Sequence, residues 1–184
     1  MKFYKFEILI NDLQKEVSLY QELFGNSESV GFLNKTCPNA FAIFQKSMFF
    51  EIICRLSAIF DPSKTGRDSN LTLDYLMECV EGKVSKDTFL EVESVKYDFK
   101  KTGVKKFRNK VYGHFDLKFY LGKGNLETDI TYEGISELLK SLAHVVRKLG
   151  IESGKIDPEQ QIYRNTTVHE GSNGKALLKI LRGS

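Results

Sequence analysis

The run Phe107-Arg108-Asn109-Lys110-Val111-Tyr112-Gly113-His114-Phe115-Asp116 gathers the side chains that can handle a phosphodiester. An arginine donates two parallel hydrogen bonds to a phosphate and keeps its charge at any physiological pH. A histidine exchanges a proton near neutrality. RNA cleavage by internal transfer needs a base for the 2′-hydroxyl, a charge-stabiliser for the phosphorane and an acid for the leaving 5′-oxygen. His114 can be the base or the acid. Arg108 can hold the phosphorane, and Asn109 can orient the histidine or a phosphate oxygen. No metal is required. These three are the candidate catalytic residues. Lys105, Lys106, Lys110, Tyr112 and Asp116 are the candidate substrate contacts, with Tyr112 able to stack a base or to serve as a core or interface aromatic. The same residues could equally form a charged helix surface. One chain supplies one well-placed imidazole, so a two-fold homodimer would bring acid and base from opposite subunits.

The elements that must position this run read as helices. Apolar residues Phe3, Phe6, Ile10, Leu13, Val17 and Leu23 recur at helical spacing over residues 3–24. Gly25 stops that helix. Pro38 opens a second, to about Phe60, with Phe41, Phe44, Met48, Ile52, Leu56 and Ile59 as its main stripe and Ala42, Phe49, Phe50 and Ile53 widening it. A helix apolar on most sides is expected to be central. Residues 61–70 read as a polar loop, with Arg55 and Asp61 tying the second helix to it. Residues 71–81 form a short helix capped by Asn70. Another helix starts at Ser85 or Asp87 and runs towards Lys101, with Phe89, Val92, Val95 and Phe99 inward. Thr102-Gly103 interrupts it, and residues 104–120 continue as helix and carry the motif. On α-helical geometry Arg108 and His114 are separated by about 9 Å of rise and about 120° of rotation. Asn109 and Asp116 then share a face, and so do Lys110 and His114. Gly113 leaves backbone space beside His114. Residues 121–125 turn the chain into a last long helix over 132–149, capped by Thr131. The reading is an all-α bundle of about five helices in residues 1–150. A less regular extension fills 151–184, with a short strand near 161–164 and a short helix over 175–181, ordering on contact with a partner.

The chain of 184 residues is long enough for a full core. Its net charge of +3 is unevenly spread. Residues 94–123 hold nine Lys/Arg against Asp98 and Asp116, a local excess of seven and an electrostatic footprint for a polyanion. Cys37, Cys54 and Cys79 have no metal-ligand spacing, and Cys54 and Cys79 read as buried thiols of a reduced, cytoplasmic protein. No apolar run is long enough to span a bilayer, so no membrane partner is expected. No phosphate-cradling glycine loop, metal cluster or cofactor slot is visible. His144 reads as a packed or partly buried histidine.

The segment from Arg108 to His114 resembles the signature of the HEPN superfamily, an arginine, a polar residue and a histidine a few positions on. The longer form through Asp116, with Arg55-Leu56-Ser57-Ala58-Ile59-Phe60-Asp61 and Asn70-Leu71-Thr72-Leu73 upstream, resembles its AbiU-like abortive-infection branch. That resemblance covers about residues 40–150. It implies a dimeric helical bundle and a metal-independent endoribonuclease used in phage defence or a toxin–antitoxin system, with Arg108 and His114 catalytic and Asn109 their polar companion. It also implies a cognate antitoxin or nucleotidyltransferase as partner. Some relatives place a tyrosine two residues after the histidine as the target of AMP transfer. Asp116 stands there in this chain, which speaks against that form of control. Many superfamily members are inactive scaffolds, so an RNA-binding or protein-interaction module is the alternative.

Overall fold

The computed structural model describes residues 1–113, 116–123, 128–159 and 167–183. The expected strand at 161–164, Gly124 and Asn125 of the expected turn, and His114 lie outside the described residues. The fold is all-α, with a single two-stranded hairpin among the described residues. In chain order the helices are α1 (Lys2–Phe24), α2 (Ser27–Thr36), α3 (Pro38–Ile59), α4 (Leu73–Cys79), α5 (Lys86–Thr102), α6 (Val104–Phe107), α7 (Leu117–Tyr120), α8 (Tyr132–Glu152) and α9 (Gly174–Leu181). The hairpin pairs β1 (Lys64–Thr65) with β2 (Asp68–Ser69) inside the expected polar loop.

The described residues fall into two compact units, one drawn from Met1–Ile10 and Ile53–Tyr163, the other from Asn11–Ile52 and Arg164–Ser184. In the first unit α5 packs on α8. Val92, Val95 and Phe99 of α5 are buried, as are Ile135, Leu138, Leu139, Leu142, Val145, Val146 and Leu149 of α8. Each helix is closed at its start by the side chain the sequence offers: Ser85 accepts from Thr88 N and Thr131 from Gly134 N. Glu152, at the end of α8, accepts from Ser85 N (2.9 Å), Ser85 Oγ (3.2 Å) and Thr88 Oγ1 (2.6 Å). These bonds, that of Thr88 first, hold its carboxyl below the usual carboxylate range. Phe60 stacks on Phe99 with ring centroids 4.1 Å apart, which pins the chain leaving α3 to the end of α5.

The second unit contains α2, over residues that the sequence reading leaves unassigned. Asn26 caps it, accepting from Ser29 N at 2.8 Å, and Leu33 is its buried anchor. It also contains α9. Glu22 of α1 accepts from Gly174 N (2.8 Å) and Lys175 N (3.3 Å), placing a carboxylate at the positive end of α9. A Cβ on Gly174 would lie 2.8 Å from Glu22 Cβ, so glycine permits this approach. Arg182 completes the contact with Glu28 at 3.0 Å and the ring of Phe32 at 5.0 Å.

Several local expectations are corrected. The cap of α4 is Thr72, which accepts from Tyr75 N; Asn70 donates to Pro62 O and Thr65 Oγ1 and ties down the hairpin. The first half of α3 is not central, because Ile43, Phe44 and Phe50 are exposed while Ile52, Ile53 and Leu56 are buried. Phe89 on α5 is exposed as well. His144 is not packed: its side chain is 70% exposed, with Nε2 3.8 Å from Glu91 Oε2. The three cysteines are free thiols, Cys37 exposed and the other two half-buried. Among the described residues no helix is long and apolar enough to cross a membrane.

Gly103 is the joint between α5 and α6, with φ of 70° in the left-handed region. A side chain there clashes with the following carbonyl, so Gly103→Ala is expected to lower stability by about 1–2 kcal/mol in a denaturant melt. Glu152→Gln tests the α5–α8 tie. Because folding lowers the Glu152 pKa, its stabilisation is complete above the ordinary value of 4.5 and is lost as pH falls through the folded value. The variant is expected to melt below the native chain at neutral pH and to converge with it in strong acid.

Candidate functional site

The motif does not continue α6 as an α-helix. Arg108–Gly113 winds as a π-helix, between α6 and α7. Its hydrogen bonds reach five residues along, a geometry that is rare and frequent at functional sites. The α-helical face assignments for Asn109, Lys110 and Asp116 therefore do not hold. The wider turn brings Asp116 N to Lys110 O at 2.9 Å, beyond the π segment.

Arg108 is held from two sides. Its Nε donates to Asn109 Oδ1 at 3.2 Å, and its Nη1 donates to Asp61 Oδ2 at 3.5 Å. The other Asp61 oxygen lies 2.9 Å from Lys105 Nζ. The Arg108 side chain is 28% exposed, and its Nη2 has no partner among the described residues. Two of the three guanidinium nitrogens are thus held while the side chain stays partly exposed. Asp61 is the residue that sequence reasoning placed elsewhere, as a local tie to the loop. It follows α3 directly, its N donating to Ala58 O, and the adjacent Phe60–Phe99 stack carries it to the α6 end of α5. The signal that could have found it is its position closing the upstream segment that accompanies the motif.

The remaining candidates divide. Lys106 is exposed and makes no ion pair among the described residues. Lys110 lies 4.0 Å from Asp116 Oδ2, while Asp116 Oδ1 accepts from Phe119 N and caps α7. Tyr112 is half-buried, with its ring edge-on to Phe107 at 5.6 Å. Gly113 is exposed, and a Cβ there would meet only Arg108 O at 3.7 Å. Asp61 therefore brings Lys105 and Arg108 together, Asn109 joins them through Arg108 Nε, Lys110 and Asp116 form a second pair, and His114 lies outside the described residues. Among the described residues no group of three or more His, Cys, Asp or Glu is placed to hold a metal ion.

The HEPN-type family model AbiU2 matches residues 3–165, spanning α1 through α8 and including Asp61 and the whole motif. No curated protein and no solved structure matches the chain. The π-wound Arg-Asn segment on a helical scaffold, matched over most of its length, places this chain in the AbiU2 family, with a HEPN domain of the abortive-infection type.

Proposed function

We propose that this chain is a metal-independent endoribonuclease of phage defence or of a toxin–antitoxin system, acting in the cytoplasm as a homodimer. The observation that carries the proposal is the guanidinium of Arg108, braced by Asn109 and Asp61 and still partly exposed. A braced donor suits a charge that develops only in the transition state, because little reorganisation is needed when the charge appears. In this reading His114 takes the 2′-hydroxyl proton or returns one to the leaving 5′-oxygen. The 2′-oxygen attacks phosphorus, the bond to the 5′-oxygen breaks, and a 2′,3′-cyclic phosphate remains. Arg108 neutralises the phosphorane. Lys105, Lys106 and Lys110 hold the flanking backbone, and Tyr112 borders it. Asp116 positions Lys110 and caps α7. Membership of a superfamily whose members often act as dimers supports the composite site, since each protomer then lends its imidazole to the other's cleft. A cognate antitoxin or nucleotidyltransferase would restrain it.

A binding module without cleavage is the second reading. One observation favours it: the Asp61 carboxylate already faces two of the site's cations and lowers their pull on a phosphate.

Purified protein with RNA and EDTA separates the two readings. Cleavage to cyclic phosphate ends is expected, with His114→Ala slowing it by about 10²–10⁴-fold and Arg108→Ala by about 10²–10³-fold. Intact RNA in the native reaction, or equal cleavage by His114→Ala, overturns the nuclease. Asp61→Asn gives a sharper reading of the brace. Removing the anion frees two cations for RNA and releases the guanidinium, so KM is expected to fall while kcat drops about tenfold. A rise in KM with unchanged kcat would show that Asp61 does not position Arg108.

A further inference from the structure

Gly103 does more than end a helix. Its left-handed turn sets the last turn of α5 against α6, and a cleft of about 420 Å³ opens at this elbow. Phe99, Lys100, Lys101, Lys105 and Lys106 line it with Gly103. Four ammoniums around one opening repel each other unless an anion sits among them. The chain supplies little of that anion. Lys105 faces Asp61, but Lys100, Lys101 and Lys106 make no ion pair among the described residues. Lys101 instead lies over the ring of Tyr97, 4.4 Å from its centroid. Tyr97 is 59% exposed, one turn before Lys101 on α5. A cation cluster with an exposed aromatic beside it is the combination that holds an unpaired strand, the lysines taking phosphate and the ring stacking a base. A paired base presents no free face to such a ring. Lys105 belongs both to the cleft and to the Asp61 brace of Arg108, so the cleft adjoins the candidate catalytic arginine.

We infer that the α5–α6 elbow is a strand-guiding subsite for single-stranded RNA: a phosphate near the scissile one lodges among Lys100, Lys101 and Lys106, and an adjacent base stacks on Tyr97. This rests on the ribonuclease reading above and names its substrate as unpaired RNA.

The test is fluorescence anisotropy with a labelled single-stranded RNA, across a salt series in EDTA. The full chain carries His114→Ala so that the probe survives. Lys100→Ala and Lys106→Ala are each expected to weaken binding several-fold and to lower the salt slope by about 0.7. Tyr97→Ala is expected to weaken the single strand about tenfold and leave a duplex of the same sequence unaffected. Lys35→Ala, an exposed lysine of the second unit, is expected to change nothing. Unchanged slopes in both elbow lysine variants overturn the inference. So does an equal loss for single strand and duplex in Tyr97→Ala, or an equal effect of Lys35→Ala. Polyglutamate competing as well as RNA at equal charge would assign the cleft to an acidic protein and overturn it too. Cleavage is scored separately on the native chain. Elbow variants that bind as the native chain does while RNA is still cut sink the subsite alone. Elbow variants that behave as expected while RNA stays whole sink the nuclease alone.

Discussion

One carboxylate organises the motif. Asp61 reaches Lys105 with one oxygen and Arg108 with the other, so α6 and the π-helix after it share a single counter-ion from the end of α3. The pairs are partly exposed, and each alone contributes little to stability. Their value is geometric. A guanidinium on a flexible stem has many rotamers, and two fixed partners remove most of them before any ligand arrives. The aromatic stack of Phe60 on Phe99 makes that possible, because it sets where Asp61 emerges.

The same arrangement explains how a cationic face stays folded. Lysines at 100 and 101 sit in the last turn of α5, where the helix dipole favours positive charge. Lys96, one turn earlier, is held by Asp74 at 2.8 Å and Glu93 at 3.0 Å. Lys96 is therefore neutralised within α5, whereas Lys100 and Lys101 at its end make no ion pair among the described residues.

Much of this was legible in the residues, and the rest was lost for physical reasons. The apolar periods of α1 and α8 are long, and periodicity over many turns averages out local exceptions. Thr131, Ser85 and Gly103 announce their roles because caps and left-handed turns accept few residue types. α2 is hard to read because it follows directly on the stop at Gly25 and its buried apolar anchor is the single residue Leu33. The exposure of Phe44 and Phe89 could not be read, since an apolar residue on a helix does not state whether a neighbour covers it. The π-helix could not be read either. Its residues are compatible with an α-helix, and a register that depends on one hydrogen bond more or less leaves no period to detect. Asp61 was invisible as a partner of Arg108 because 47 positions separate them and charge complementarity alone does not choose among acids.

The contact between Glu22 and the start of α9 joins residues 152 positions apart. During synthesis at roughly 5–20 residues per second, α1 leaves the ribosome long before α9 exists. The unit that joins residues 11–52 to α9 must therefore wait, half-assembled, with the wall that α9 will cover open to other nascent or chaperone surfaces. Contacts this distant in sequence also close slowly, because loop entropy is lost before they reward it. Assembly of the second unit is thus tied to the emergence of α9, whereas every helix of the motif-bearing unit emerges before it.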